Sequence, residues 1–340
     1  MSRGFADFSR PTEGDPRWLE TNWFSAFTAD GTIRLHIWVG FRTNLGVAFT
    51  KIYAYSAGST SVADMEFHDS RYQQPIGGAR LADYRLASGL TVKGAPAPDH
   101  YRVVHRTRRF EAHLDYRAMM PPADLSVTTV ARDVNGFMAF HRPADPTAAV
   151  PAGLSGRSGD EPMGHIDQTM WVTGHLLLDG VRHEVDGPAN RDHSWSPRAE
   201  AGHDTGTFDM FHFGRELTVL THTAEHPRDG AVESVVTNAY VLRGDQVRRV
   251  TGATMTYHRA GLRTERLTLE VDDETGEHHR IDGVSRAGLE FDGGQNVYQV
   301  FDLLDCTWNG RTGIGETLWH ADVSTLNAAA AARRRAAAAV

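Results

Sequence analysis

The segment Thr32-Ile-Arg-Leu-His-Ile-Trp-Val-Gly-Phe-Arg42 places an apolar side chain at nearly every second position. Arg34, His36 and Trp38 fill positions between these apolar residues. A period of two residues is that of a β-strand, so the segment is predicted to be a strand with one apolar face. The Asp-Gly dipeptide immediately upstream predicts a hairpin that joins it to a strand over residues 18–27.

Short strand-like segments recur on both sides of this one, from about residue 18 to residue 320. Turn residues separate them, and the first half of the chain shows no sustained helical period. Many short strands at even spacing are typical of a sandwich or barrel, so we predict an all-β fold with few helices. A Pro- and Gly-rich stretch over 142–164 separates β domains over 17–150 and 160–325, and an Ala/Arg tail of marginal helical character covers 326–340.

The composition of the chain excludes several classes of protein. Its 340 residues carry a formal charge of −8, from 35 basic and 43 acidic side chains, which argues against general binding to nucleic acid or anionic membranes. The N-terminus lacks the apolar core of a signal peptide and no run reaches membrane-spanning length, so we expect a cytoplasmic protein without an integral membrane segment. The single cysteine, Cys306, excludes an intrachain disulfide framework.

The stretch Arg191-Asp-His-Ser-Trp195, assigned to the C-terminal domain, carries the clearest chemical signal. In an extended chain, Arg191, His193 and Trp195 share one face, and Asp192 lies on the other. Such a face suits the wall of a pocket for a hydrophobic molecule. Protonation of an alkene needs an acid with a pKa tuned near neutrality, and an aromatic ring stabilises the resulting carbocation by about 1–2 kcal/mol when it is desolvated.

Asp209 is a second candidate acid, because in a strand it points to the same apolar side as Phe211. A carboxyl group among phenylalanines is either paired, for example with Arg191 or His193, or protonated. The alternative is a buried ion-pair network of Arg191, Asp192 and Asp209 that only holds the domain together. The predicted site is therefore catalytic Asp209, His193 and Trp195, substrate-binding Arg191, Phe211 and Trp171, and structural Asp192.

Other catalytic motifs are absent or weak in the sequence. No Rossmann or P-loop glycine motif follows a strand, and no G-x-S-x-G motif occurs. His222-Thr-Ala-Glu-His226 matches the H-x-x-E-H zinc-protease pattern, but a β-rich segment precedes it and a proline follows, whereas the pattern needs a helix. We predict no metal and no cofactor. A metal-dependent hydrolase that uses His222, Glu225 and His226 remains a third alternative.

Asn190-Arg-Asp-His-Ser-Trp-Ser-Pro-Arg198 resembles the "RDHSWG-R" signature of the tandem-lipocalin superfamily that includes carotenoid 1,2-hydratase. The segment Glu20-Thr-Asn-Trp-Phe-Ser-Ala-Phe27 and the closing Gly313-Ile-Gly-Glu316 also resemble a bacterial branch of that superfamily. The resemblance implies two tandem lipocalin-like antiparallel β-barrel or sandwich domains. It also implies active-site roles for His193 and Trp195, with Asp209 as the proton donor.

These observations lead to a functional hypothesis and a rival from another class. The hypothesis is a cofactor-independent lyase or isomerase, such as a hydratase, dehydratase or cyclase, that acts on an alkene of a terpenoid or steroid-like substrate. The rival is a non-catalytic carrier of a hydrophobic ligand, since barrels of this kind can simply enclose a small molecule. The expected partner is a small hydrophobic molecule, and the sequence leaves a homodimer open.

Overall fold

The computed structural model is all-β apart from one helix within the residues that it describes, which are 5–9, 14–125, 164–198, 205–228, 231–294 and 296–338. Its strands form a half-barrel sheet followed by a closed eight-stranded barrel, the architecture of tandem lipocalin-like domains. This confirms the predicted fold class. Most of the Pro- and Gly-rich stretch at 142–164 lies outside the described residues. None of the described helices is both long and apolar enough to cross a membrane.

The N-terminal sheet has eleven strands in the described residues, and its main path runs β4-β3-β2-β1-β11-β10-β8-β7-β6-β5 with β9 paired to β10. All of its strand pairs are antiparallel. The strands are β1 (Trp18–Phe27), β2 (Ile33–Arg42), β3 (Val47–Ser56), β4 (Phe67–Pro75), β5 (Asp83–Arg85), β6 (Leu90–Gly94), β7 (His100–Arg106), β8 (Phe110–Ala118), β9 (Ala123–Asp124), β10 (Gly164–Leu178) and β11 (Val181–Pro197).

The Arg191–Trp195 segment lies in this N-terminal sheet, whereas the sequence placed it in the C-terminal domain. It forms the second half of β11, which pairs with β1 from Trp18 opposite Pro197 to Phe24 opposite Arg191. The first strand of the fold therefore completes its hydrogen bonds with a strand about 170 positions later. Local sequence patterns do not show such long-range pairings, so the sequence predicts the wrong sheet for the hairpin of β10 and β11.

The C-terminal domain is a closed barrel in which each strand pairs antiparallel with the next and the last strand pairs with the first. A helix, α1 (Val323–Ala338), follows the last strand and begins three residues before the position from which the sequence predicts a tail of marginal helical character. The barrel strands are β12 (Gly206–Phe213), β13 (Leu217–Arg228), β14 (Ala231–Arg243), β15 (Gln246–Ala260), β16 (Arg263–Asp273), β17 (His278–Gly294), β18 (Val297–Trp308) and β19 (Arg311–Asp322).

The alternating side chains of β2 are buried on both faces. Its apolar residues, Leu35 among them, pack in the core of the N-terminal sheet, as the period of two predicts. Arg34, His36 and Trp38 point the other way, and there they meet the barrel rather than water, so Arg34 is fully buried. Two further apolar clusters combine residues of both domains, one around Trp23 and Phe208 and the other around Tyr53 and Phe301. The two domains therefore share a continuous buried interface.

A buried carboxylate on the barrel organises this interface. Glu316 of β19 accepts hydrogen bonds from Arg34 Nε at 3.1 Å and Nη2 at 2.8 Å, from His36 Nε2 at 2.8 Å and from the Tyr55 hydroxyl. The Trp23 indole donates to His36 Nδ1 at 3.0 Å, which leaves the proton of a neutral imidazole on Nε2, facing Glu316. Burial alone would raise the pKa of Glu316, but the Arg34 guanidinium and the His36 ring hold it well below its usual range.

Replacement of Arg34 by methionine should destabilise the protein by about 3–5 kcal/mol, because it leaves the Glu316 charge buried without its cation. The matched control is Arg280→Met on β17, since Arg280 is exposed and pairs with the exposed Glu270 and Asp282. That change should cost less than about 1 kcal/mol. Urea unfolding of both variants measures the difference, and equal losses would show that the Arg34–Glu316 pair does not hold the domains together.

Candidate functional site

A cavity of about 140 Å³ lies between the two domains. The N-terminal sheet contributes side chains from β1, β2, β3, β10 and β11, and the barrel contributes side chains from β12, β17, β18 and β19. Its volume is similar to that of an engineered cavity of ~150 Å³ that takes up benzene, so it fits one ring or one isoprene-sized unit. Six of the described side chains that line it are aromatic, namely Trp23, Trp38, Tyr53, Phe208, Phe291 and Phe301.

Asp192 is the carboxyl group that faces this aromatic wall. Strand alternation turns Asp192 and Ser194 towards the cavity, because they lie opposite Trp23 and Thr21 of β1, which also line it. The Oδ1 atom of Asp192 is buried and has no hydrogen-bond partner among the described residues. Burial raises the pKa of Asp192 to about 7, an effect that His165 opposes and the neighbouring Asp167 carboxylate reinforces. A substantial fraction of Asp192 is therefore protonated at neutral pH.

Two histidines, His165 and His222, and the carboxylate of Asp167 lie near Asp192. The His165 ring lines the cavity, and its Nε2 lies 2.9 Å from Asp167 Oδ2. The same Asp167 oxygen lies 3.3 Å from Nε2 of His222, which belongs to the barrel. Burial alone would raise the pKa of Asp167, but the two histidines keep it below its usual value. An anionic Asp167 accepts the Nε2 proton of His165 and leaves Nδ1 as the basic nitrogen of that ring. The arrangement is that of a histidine oriented by a carboxylate.

Two basic side chains, Arg198 and Lys51, also line the cavity. Arg198 donates to Ser194 Oγ at 2.6 Å, and its positive charge opposes the rise in the pKa of Asp192. Lys51 lies on β3, opposite Trp38 of β2. Its side chain is buried between the domains and lines the cavity.

The predicted alternation of the Arg191–Trp195 segment is confirmed, but its imidazole and indole face the interior of the N-terminal sheet. His193 Nε2 lies 2.7 Å from Glu20 Oε1, and its ring stacks on Trp195 with centroids 4.7 Å apart. Arg191 donates to Gln168 Oε1 at 2.8 Å. None of Arg191, His193 and Trp195 belongs to the lining of the interdomain cavity, and Asp192, predicted to be structural, does.

Asp209 points to the apolar interior of the barrel, as the sequence predicts, and it is not paired with Arg191 or His193 among the described contacts. Its Oδ2 accepts hydrogen bonds from Thr207 at 2.7 Å, Tyr257 at 2.8 Å and Thr221 at 3.2 Å. Burial raises the pKa of Asp209. Since His193 lies in the other sheet, the structure does not bring these two predicted catalytic groups together. Among the ion pairs of the described residues, none links Arg191, Asp192 and Asp209 into a network.

The two predicted substrate-binding aromatic residues also lie away from the cavity. Phe211 is buried in the barrel core. Trp171 is half-buried on β10, where its indole donates to Asp186 Oδ1 at 2.8 Å and Arg215, from the turn between β12 and β13, stacks on its ring at 3.8 Å. Their roles as substrate contacts stay predictions that the interdomain cavity does not support.

The H-x-x-E-H pattern lies on strand β13, and its residues diverge. His222 points to the interface, where it meets Asp167. Glu225 points into the barrel, where it pairs with Arg259 at 2.5 Å and accepts a hydrogen bond from Trp319 at 3.0 Å. Two ligands on opposite faces of a strand cannot hold one zinc ion. The geometry therefore does not support a zinc site formed by His222, Glu225 and His226. His222 instead belongs to a group with His165 and Asp167 whose possible ligand atoms lie within 4.8 Å of one another.

Sequence reasoning missed Lys51, His165 and the aromatic wall, although one signal was available. Arg34, His36 and Trp38 alternate with a fully apolar face of β2, and three such side chains in succession are unusual for a strand face in water. Their pattern indicates a second buried face and hence an interface. His165 and Lys51 carry no comparable local signal, because their neighbours come from distant strands.

Comparison with known proteins gives the chain a family and a fold. Solved structures that resemble it include CghA with Sch210972, with a TM-score of 0.54, 14% identity and 94% of each chain covered. A protein assigned as ATTH from Nitrosomonas europaea has a TM-score of 0.52 and 13% identity, with 91% of this chain and 94% of that chain covered. Kievitone hydratase from Nectria haematococca has a TM-score of 0.49 and 10% identity, with 93% and 96% covered.

At these identities the similarity shows the fold alone. No curated protein sequence matches the chain. The family model described as a domain of unknown function (DUF7064) matches residues 7–323, which includes both β domains and the cavity between them. The chain therefore belongs to the DUF7064 family.

Proposed function

We propose that the protein is a cofactor-independent acid–base enzyme, a lyase or isomerase, that acts on an alkene of a small hydrophobic substrate in the interdomain cavity. A terpenoid or steroid-like molecule is the proposed substrate class, with one ring or isoprene unit inside the cavity and the rest of the molecule extending through its open side. The observation that carries the proposal is the position of Asp192, a carboxyl group with a pKa raised to about 7 that faces this wall. A carboxylic acid that stays protonated at neutral pH can deliver a proton to carbon.

The aromatic lining of the cavity can stabilise the carbocation that forms after proton transfer. The alkene π pair takes the Asp192 proton and forms a new C–H bond, which leaves a positive charge on the neighbouring carbon. Trp23 and the other aromatic rings of the wall face that charge, and each desolvated ring stabilises a cation by about 1–2 kcal/mol. The ionised Asp192 is then a nearby counter-ion.

His165 acts as the base that completes the reaction, whether the product forms by hydration or by isomerisation. In a hydration, a water molecule attacks the carbocation and His165 takes the released proton, which requires the ring to turn its buried Nδ1 towards the cavity. In an isomerisation or cyclisation, His165 removes a proton from a carbon next to the cation. Asp167 holds the ring for both by accepting the Nε2 proton. Return of the proton to Asp192 closes the cycle with no net change in the protein.

The hydrophobic-ligand carrier remains the second candidate, because an aromatic cavity alone suffices for binding. Asp192 favours the enzyme. A carrier gains nothing from a carboxyl group whose Oδ1 is buried without a partner among the described residues, since burial of such a group is costly. Under the carrier hypothesis, no rate of reaction would depend on the Asp192 carboxyl group.

Asp192→Asn should lower turnover by about 10²–10⁴-fold, because the amide cannot donate the proton. The matched control is Asp209→Asn, a buried carboxyl group in the barrel, which should change turnover by less than ~10-fold. Incubation of geranylgeraniol, β-ionone and progesterone in deuterium oxide, followed by mass spectrometry, measures carbon protonation without knowledge of the product. Loss of exchange in the Asp209 variant alone would instead place the proton donor inside the barrel.

The rate of exchange should fall as the pH rises through about 7, because Asp192 must be protonated to act. The groups that act on its pKa are His165, Asp167, Arg198 and Arg191. Arg198→Gln removes a charge that favours the ionised form, so the decline should move to higher pH. A profile that is flat across neutral pH, or one that Arg198→Gln moves to lower pH, would contradict the role of Asp192.

A further inference from the structure

Lys51 is chemically distinct from the other basic residues of the chain. Of the 35 basic residues, 33 are arginine, and the only lysines are Lys51 and Lys93. Lys93 lies exposed on β6. Lys51 is only 6% exposed, and it lines the interdomain cavity. The chain thus places one of its two primary side-chain amines beside the hydrophobic ligand space.

The surroundings of the Lys51 amine are apolar and lack a close counter-ion. Nζ donates to the Gly293 carbonyl and lies 6.0 Å from the ring centroid of Trp38 and 5.5 Å from that of Phe291. Among the described residues no carboxylate lies within 4.0 Å of it, so it forms no ion pair there. Burial lowers the pKa of Lys51 to about 8, and Asp292 opposes this only through space.

The backbone opposite Lys51 leaves room around the amine. Gly293 and Gly294 end strand β17, and a Cβ at Gly294 would lie 2.8 Å from Lys51 Nζ. Gly294 also has a φ of +73°, which side-chain-bearing residues rarely adopt. The other titratable or charged groups around the amine are His68 on β4 and the cavity residues Asp192, His165, Arg198 and His320.

We propose that Lys51 binds the carbonyl group of a hydrophobic aldehyde or unhindered ketone by forming a Schiff base in the interdomain cavity. A desolvated lysine in a hydrophobic pocket is the usual amine for this chemistry, because a larger part of it is neutral and nucleophilic. An arginine cannot replace it, since a guanidinium stays protonated. The proposal shares the cavity with the acid–base function but not its proton donor, so either one can fail without the other.

The reaction balances with no further reactant. The neutral amine forms a C–N bond to the carbonyl carbon while the C=O π pair moves to oxygen, and transfer of a proton from the new ammonium nitrogen to that oxygen gives a carbinolamine. Loss of that hydroxyl group as water, with a proton from a neighbouring acid or solvent, forms the C=N bond. Nothing is oxidised or reduced, and one water molecule leaves for each carbonyl group bound.

The test is reductive trapping of the native full-length protein with trans-cinnamaldehyde and sodium cyanoborohydride at neutral pH, followed by peptide mass spectrometry. Lys93 is the internal control in the same molecule. At pH 7 an amine with a pKa near 8 is neutral in about 10% of molecules, whereas an ordinary lysine with a pKa near 10.4 is neutral in about 0.04%. We expect labelling of Lys51 to be at least ~10-fold faster than that of Lys93.

Three further measurements exclude labelling that does not depend on the cavity around Lys51. In concentrated urea the two lysines should label at similar rates, because the cavity is lost. Lys51→Arg should abolish the fast labelling while circular dichroism shows an unchanged fold, and Lys93→Arg should leave it intact. Labelling of Lys51 in the native protein that is no faster than that of Lys93 overturns the proposal, and it does so without reliance on either variant.

Discussion

The buried carboxylate of Glu316 is the constraint on which the domain arrangement depends. It belongs to the barrel, yet Arg34, His36 and Tyr55 of the N-terminal sheet supply its cation and its hydrogen-bond donors. A buried charge without these partners is strongly unfavourable, so the two domains gain stability only when β2 and β3 lie against β19. The same strands carry Trp38, Lys51 and Leu318, which line the cavity. The contact that joins the domains therefore also sets the walls of the candidate site.

An interface between two β domains is a suitable place for acid–base chemistry on a hydrophobic molecule. Each domain already fills its own interior, with apolar clusters in the N-terminal sheet and in the barrel. The outward faces of β1, β2, β10 and β11 can therefore carry Trp23, His165 and Asp192 without disturbing either core. Burial of these faces against the barrel removes water, which raises the pKa of the Asp192 carboxyl group and lowers that of the Lys51 amine.

The sequence predicts the local structure well and the long-range arrangement poorly. The alternation of apolar and polar residues predicts the strand within Thr32–Arg42. It also predicts that Asp192 and His193 point to opposite faces, because successive side chains of a strand alternate between its two faces. Alternation does not show which face of a strand packs in its own domain and which face packs against the other domain. Alternation alone therefore predicts that Trp195 contacts the ligand and that Asp192 is structural, whereas the pairing of β11 with β1 turns Asp192 towards the cavity and Trp195 away from it. The composition did show that Lys51 is one of two lysines, but its burial depends on β17, more than 200 residues later in the chain.

The central claim is that a hydrophobic substrate binds between the domains with its reactive carbon at Asp192. A crystal structure with bound geranylgeraniol tests this most directly, because it locates the ligand whether or not the crystal permits turnover. The account predicts ligand density against Trp38 and Phe301, with a double-bond carbon within about 3.5 Å of an Asp192 carboxyl oxygen. Density inside the barrel against Asp209, with the interdomain cavity empty, would contradict it.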